Sequence, residues 1–326
     1  MKTGRKTTLV CLSLLLAFLL SAPLWMLPVF GAIFPRDSHT NDFTAAIVDK
    51  FDRLNSLEGK KIVFVGGSSL PFGLKCGTVE KETGYAVVDF GLYAALGTVV
   101  MMDLSLSGIG EGDIVVLAPE TDPQLYSDYF PPRLFRQTIG ERTDLLRYLS
   151  KGRRKEAALA YYPALHKRIL DRNKPLMPET EIYARNNFDE YGDIAIERKR
   201  NKMSGGFDES KTVSLEALYN EGFFDEVNDY AKKVREKGAT LLFWFPPINE
   251  AAVRFTDEEA ERFTAYLTER LDCRLLGDVR DTVYDPELFF DTNYHLNDRG
   301  AALHTENTVQ KLLAYLEAAG VAIPES

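Results

Sequence analysis

The sequence predicts an α/β fold of flavodoxin type: a five-stranded parallel sheet in the order 2-1-3-4-5 between two helical layers, with a helical and loop insertion and an N-terminal transmembrane helix. Three observations lead there. Short continuous apolar runs alternate with helical segments, as in βα units whose strands are buried on both faces. The alternation breaks once, at about residues 126–212, and then resumes. An uncharged apolar stretch, too long for a strand, opens the chain.

That stretch comes first in order. Lys2, Arg5 and Lys6 precede a run from Thr8 to Phe34 that carries no charge. A helix of about 20 residues crosses a hydrocarbon core of ~30 Å, and basic residues ahead of a span keep the N-terminus in the cytoplasm. Residues 1–36 are therefore expected to form a cytoplasmic tail and single-pass anchor in the cell membrane, with residues 37–326 outside the cytoplasm. The alternative is a cleaved signal peptide with Leu9–Leu20 as its apolar region. The run continues through Leu24, Trp25, Met26, Leu27, Val29 and Phe30 without a clear small-residue cleavage site, which favours the anchor. Pro23 and Pro28 are expected to kink it.

After a short amphipathic helix over Asp42–Leu57, the first strand is Lys61–Val65, ending in Gly66-Gly67. A helix over Leu74–Thr83, a strand over Tyr85–Phe90, a helix over Leu96–Leu106 and a strand over Ile114–Ala118 come next. The insertion is rich in Arg, Lys and Tyr. Helices are expected at Arg133–Leu149 and at Lys155–Leu170, the second bent by Pro163, and together the segment should cap the sheet. Its basic residues, among them Arg133, Arg136, Arg142, Arg147, Arg153, Arg154 and Arg198-Lys-Arg200, are expected on solvated helix faces. The regular pattern returns with a helix over Ser214–Lys237 closed by Gly238, a strand over Thr240–Phe245 and a helix over Glu258–Leu271. A short strand over Cys273–Leu276 and a last helix over Asp298–Ala319, with Asn297 as its N-cap, complete it.

A net charge of −9 and a pI near 5.2 argue against a nucleic-acid partner, which needs a basic surface. Cys11, Cys76 and Cys273 form no C-x-x-C pair, so no metal site is expected. Cys76 and Cys273 fall on different strand units and should be free, buried thiols. The chain has neither a P-loop nor a G-x-G-x-x-G fingerprint, and no cofactor is expected.

Ligands of such sheets bind beyond the carboxyl ends of the strands. Gly66-Gly67-Ser68-Ser69-Leu70-Pro71-Phe72-Gly73 comes after the first strand and would expose the Ser68 hydroxyl there, the glycines allowing the turn and leaving room. Taken alone it also reads as a plain glycine-rich turn. Phe289-Phe-Asp-Thr-Asn-Tyr-His-Leu-Asn-Asp-Arg-Gly300 precedes the last helix. A serine hydroxyl needs a base, and the base needs a carboxylate to orient it. His295 and Asp291 supply both on one loop. Of the other histidines, His39 adjoins the membrane run, His166 sits in the insertion and His304 on the last helix.

These blocks together, with Val88-Asp-Phe-Gly-Leu92 and Gly112-Asp-Ile-Val-Val-Leu-Ala-Pro-Glu120, resemble the SGNH (GDSL-like) hydrolase family, in a membrane-anchored bacterial branch related to proteins that acylate cell-wall polymers and exopolysaccharides. The resemblance covers residues 60–120 and 238–320 and leaves the insertion aside. It implies a nucleophile at Ser68, a base at His295 and its carboxylate at Asp291. Two departures stand out. The family spaces the last pair as D-x-x-H, which puts Thr292 where Asp is expected. The oxyanion asparagine expected after the third strand is missing, and Pro119-Glu120-Thr121-Asp122 stands there. A glutamate at that place is unfavourable unless protonated or turned away. The oxyanion hole would then rest on the N–H groups of Ser68 and Gly91, with Asn249 as a substitute.

The resemblance implies a serine esterase or O-acyltransferase acting on an extracellular glycan or acylated cell-envelope polymer, beside a multi-spanning membrane acyltransferase. The alternative is a non-catalytic relative that binds glycan or such a partner. A phosphate-binding module at Gly66–Ser69 is a poorer third reading. Tyr161, Tyr162, Tyr183 and Tyr191 of the insertion are candidates for roofing the site and stacking on sugar rings.

Overall fold

A computed structural model describes residues 2–33, 41–171, 174 and 177–321. His39, Phe34 and the rest of the expected anchor–domain junction lie outside the described residues. The first helix, α1 (Lys2–Ile33), runs on through Pro23 and Pro28 rather than ending at either. Its segment Lys6–Leu24, with mean hydropathy 2.2 and none of it buried, is long and apolar enough to cross a membrane. This is compatible with a single-pass anchor, although a signal sequence meets the same requirement.

Five parallel strands form the sheet: β1 (Lys61–Gly66), β2 (Ala86–Gly91), β3 (Ile114–Ala118), β4 (Thr240–Phe243) and, in sequence after the short β5 (Ile248–Asn249), β6 (Arg274–Leu275). Their order is β2-β1-β3-β4-β6, so the five sheet strands taken in sequence stand 2-1-3-4-5. Alternate side chains of each strand feed opposite layers. Val63, Val65, Val88, Phe90, Val115, Leu117 and Phe243 pack against α2 (Ile47–Ser56), α5 (Thr98–Ser105), α9 (Glu221–Glu236) and α10 (Asp257–Arg270). Ile62, Phe64, Val87, Val116 and Leu242 face α3 (Ser69–Gly73), α4 (Cys76–Thr83) and α11 (Asp298–Ala318). All of β1 is buried, including Lys61, whose Nζ pairs with Asp113 at 2.8 Å. A further parallel pair, β5 with β7 (Val283–Tyr284), is too short to read from periodicity.

Helix ends obey local chemistry. Asn297 Oδ1 accepts the Gly300 N–H at 3.0 Å and starts α11. Gly238 lies just past α9 with φ 77°, a conformation that favours glycine.

In the insertion, the two expected helices become α6 (Pro132–Thr138), α7 (Lys151–Leu159) and α8 (Tyr161–Asp171). The first ends before Gly140, which has φ 52°, and continues only as a 3-10 turn. The second divides at Ala160, so Pro163 sits in the first turn of α8, where a missing N–H costs nothing. The expectation of solvated basic faces fails for three arginines, because Arg136, Arg153 and Arg198 are buried. Arg153 Nε donates to Asp103 at 2.8 Å and its Nη2 to Glu226 at 3.1 Å, fastening α7 to α5 and α9. Cys76 and Cys273 are free, but Cys273 is only half-buried.

Candidate active site

The site forms where the carboxyl ends of β1 and β3 meet the loop before α11. Gly66 and Gly67 do not have the positive φ that would require glycine; their need is space. A Cβ on Gly66 would stand 2.3 Å from the Ala118 carbonyl, and one on Gly67 would stand 2.6 Å from Glu120 Oε1. The two glycines thus let β1 and its turn lie directly on the end of β3, and α3 begins at once with Ser68 as its N-cap.

The second half of the site is a closed loop. Phe289 and Leu296 form an antiparallel bridge, and the Phe290 N–H donates to the His295 carbonyl at 2.8 Å. Residues 291–294 are the turn, with Thr292 Oγ1 accepting the His295 N–H at 3.0 Å. Closure of the loop brings Asp291 across to His295 despite the extra residue between them. Thr292, where the resemblance expects the acid, serves the backbone instead.

His295 Nε2 lies 2.8 Å from Ser68 Oγ, and His295 Nδ1 lies 2.8 Å from Asp291 Oδ1. All three residues line or adjoin one cavity, and Ser68 and His295 are buried. Burial alone would push the Asp291 carboxyl up. The hydrogen bond and charge of His295 and the Tyr183 hydroxyl outweigh it and hold Asp291 below the usual carboxylate range. The arrangement can move a proton from Ser68 to an imidazole whose tautomer and orientation are set by Asp291.

Two residues expected in an oxyanion hole are committed elsewhere. The Gly91 N–H donates to Asp89 Oδ1 at 2.6 Å. Asn249 is buried in scaffolding: its Nδ2 donates to Gly206 O at 3.0 Å and its Oδ1 accepts the Ala251 N–H at 3.0 Å. No described hydrogen bond uses the Ser68 N–H, which leaves it for the role. Glu120 reaches the nucleophile instead of turning away. Its Oε1 lies 3.2 Å from Ser68 Oγ and accepts the Ser69 N–H at 2.8 Å. Burial pushes the Glu120 carboxyl above its ordinary range, against the opposing pull of His295 and these hydrogen bonds. A phosphate at Gly66–Ser69 would meet this carboxyl rather than free N–H groups, which disfavours the phosphate-binding reading.

Four contacts are not legible in the sequence. Tyr183 donates its hydroxyl to Asp291 Oδ2 at 2.7 Å, so a residue of the insertion completes the carboxylate's shell. Phe72 stacks on His295. The Arg198 guanidinium lies 5.3 Å from the Phe72 ring and pairs with Asp298 at 3.3 Å. Of the four tyrosines expected to roof the site, only Tyr183 lines the cavity. Tyr161 and Tyr162 pack on each other, and Tyr191 packs beside Gly77 and Arg53. His304 is buried against Tyr284, and burial lowers its imidazole to about 3, so it stays neutral.

The cavity has a volume of about 840 Å³, within the roughly 300–1,000 Å³ of small-molecule sites. Its walls come from the sheet ends (Ser68, Glu120), from the segment after β2 (Tyr93) and from the insertion (Leu134, Tyr183, Lys211). Asp42, Asp122 and Asp208 also face it, and Lys211 lies 3.5 Å from Asp122. A second cluster lies apart. Cys76, Asp89 and Asp193 bring ligand-type atoms within 4.8 Å of one another, all buried. Lys50 Nζ is 3.5 Å from Asp89 and opposes a cation there. Burial raises both carboxyls, and repulsion from Asp89 raises Asp193 further, which favours a proton held on the pair.

Compared with known proteins, the chain matches no protein-family model and no curated protein sequence.

Proposed function

We propose that the chain is an SGNH-type serine esterase or O-acyltransferase, anchored by α1 with its α/β domain outside the cytoplasm, acting on an O-acylated glycan or cell-envelope polymer. The observation that carries this reading is the continuous hydrogen-bonded series Ser68–His295–Asp291 opening into the cavity. Ser68 Oγ attacks an ester carbonyl while its proton passes to His295 Nε2. The imidazolium, held by Asp291, then protonates the departing sugar oxygen and leaves an acyl group on Ser68. A second hydroxyl, from water or a sugar, gives its proton to His295 and takes the acyl group.

Transfer is favoured over hydrolysis by the cavity's wall. Leu134, Met177, Tyr183 and Lys211, all from the insertion, wall the cavity beside the sheet ends, and such a wall gives a sugar hydroxyl surface to bind in competition with water. The acidic residues around the mouth suit a neutral or cationic acceptor better than a polyanion. The Tyr162 hydroxyl donates to the Leu24 carbonyl at 2.6 Å, so the insertion leans on the anchor helix. A domain held this close to its anchor is within reach of a multi-spanning acyltransferase, the partner that would deliver the acyl group.

Full-length protein should be given a fluorophosphonate probe, then a small acetyl ester with and without oligosaccharide acceptors. Labelling at Ser68 that is lost in Ser68→Ala, and acetyl diverted to an acceptor, support the reading. Fast hydrolysis unchanged by every acceptor leaves an esterase. No labelling and no turnover would favour a non-catalytic protein that binds glycan or a membrane partner. Protease added to spheroplasts should digest the domain; full protection until lysis would overturn the orientation.

A further inference from the structure

Glu120 has no part in the Ser68–His295–Asp291 relay, yet it is buried against the nucleophile. We propose that Glu120 works as a neutral carboxylic acid, donating from Oε2 a hydrogen bond to the oxyanion formed when Ser68 attacks an ester. This inference rests on the esterase reading of the same site.

Counting hydrogens is the first argument. The Ser68 hydroxyl has one hydrogen and faces two acceptors, His295 Nε2 at 2.8 Å and Glu120 Oε1 at 3.2 Å. With Nδ1–H donated to Asp291, Nε2 is bare and takes that hydrogen. An ionised Glu120 would then press lone pairs on Ser68 Oγ with no hydrogen between them, in a buried place where such an arrangement is costly. A proton on Glu120 takes the negative charge out of that contact and so lowers its cost. Oε1 already accepts the Ser69 N–H at 2.8 Å, whereas Oε2 makes no described hydrogen bond, and Glu120 lines the cavity. The proton therefore belongs on Oε2, on a side chain that lines the cavity.

Position is the second argument. Glu120 stands two residues beyond the end of β3, at the place where the resemblance expects an asparagine donor. The other candidates, Gly91 and Asn249, are engaged with Asp89 and Gly206. The Ser68 N–H and a protonated Glu120 are what remains to meet a negative oxygen. Burial, which favours the neutral carboxyl, agrees with this placement.

The chemistry balances without a co-reactant. Ser68 Oγ bonds to the carbonyl carbon, its proton goes to His295 Nε2, and the carbonyl π pair moves to oxygen. That oxygen accepts hydrogen bonds from Glu120 and the Ser68 N–H. On collapse the pair returns, the C–O bond to the alcohol breaks, and His295 protonates the leaving oxygen. Glu120 keeps its proton throughout.

The proposal entails a pH dependence. The titratable groups around the cavity with Glu120 are His295 (with Asp291 behind it) and Tyr294 from the loop before α11, Tyr183, Asp208 and Lys211 from the insertion, Asp122 from its own segment, Tyr93 from the segment after β2 and Asp42 from the segment before α2. Lys211 is turned to Asp122 and Tyr183 to Asp291. In the working state Glu120 carries its proton. Activity falls in alkali as that proton leaves.

The test is the rate of Ser68 phosphonylation by a fluorophosphonate in the full-length protein, from about pH 5 to pH 10. The wild type should slow toward alkaline pH. Glu120→Gln keeps a donor in place, so it should lose that alkaline fall and stay within about tenfold of the wild-type optimum. Glu120→Ala should lose roughly 10²–10³-fold throughout, with folding checked by its melting temperature. A Gln variant as slow as Ala, with the wild type labelled normally, would overturn the inference and leave the esterase reading standing. A wild type that is never phosphonylated would instead sink the esterase reading. Infrared spectra give a readout that needs no turnover. In the wild-type minus Glu120→Gln difference spectrum, a neutral-carboxyl carbonyl band near neutral pH supports the proton on Glu120; a difference spectrum without one overturns it.

Discussion

The ring of Phe72 lies flat on the imidazole of His295, with centroids 4.0 Å apart and planes within 8° of parallel. Phe72 is fully buried, and Arg198 lies on it in turn. The imidazole is therefore fixed by a face as well as by its two nitrogens. Phe72→Leu keeps an apolar filler but loses the plane. Ser68 labelling should slow about tenfold, while stability falls by only about 1–2 kcal/mol. Paired rate and melting measurements would separate the two effects.

Asp291→Asn keeps the size of the side chain but presents N–H to a nitrogen that must itself be a donor. His295 is then held in the wrong tautomer, with its proton on the atom facing Ser68. The turnover number should fall about 10³–10⁴-fold with little change in KM. Steady-state kinetics on a small acetyl ester would test this; a loss below tenfold would remove Asp291 from the relay.

Tyr183→Phe removes the 2.7 Å hydrogen bond to Asp291. Asp291 is held low in part by this hydroxyl, so its loss raises the pH at which the carboxylate takes a proton. The acid limb of the rate profile should move to higher pH, with a severalfold loss at the acid end and a smaller one at neutral pH. An unmoved limb would make Tyr183 a packing residue only.

Asp89 and Asp193 share a buried site in which burial raises both carboxyls. A carboxyl raised in the folded chain stabilises it fully below the unfolded value of about 4, and that contribution disappears as pH rises through the folded value. The melting temperature should therefore decline from mildly acid to alkaline pH. Asp193→Asn supplies a permanent donor in place of the proton and should flatten that decline. Thermal denaturation over a pH series measures it.

The sheet is legible in the sequence because buried parallel strands are continuous apolar runs, and Lys61–Gly66 and Ile114–Ala118 are among the clearest. Ser68 and His295 are legible because the topology sets the turn after the first strand beside the loop before the last helix. The oxyanion hole around them is not. Whether the Gly91 N–H is free depends on the Asp89 side chain two residues away, and Asn249 looks available until Gly206 and Ala251 occupy it. Glu120 reads as a charge in sequence, and only its burial against Ser69 favours a neutral acid. The insertion misleads for a local reason: Gly140 and Ala160 interrupt helices that composition alone would run together.

A methyl group on Gly67 would sit 2.6 Å from Glu120 Oε1, although the backbone itself would accept any residue. The two positions therefore compete for one volume, and a change at either restricts the other. Among relatives of this chain, glycine at 67 should accompany glutamate at 120, while larger residues at 67 should accompany a shorter donor such as asparagine. Joint substitution should be tolerated where each single change is not. Glycine paired freely with short and long residues would show that the two sites drift independently.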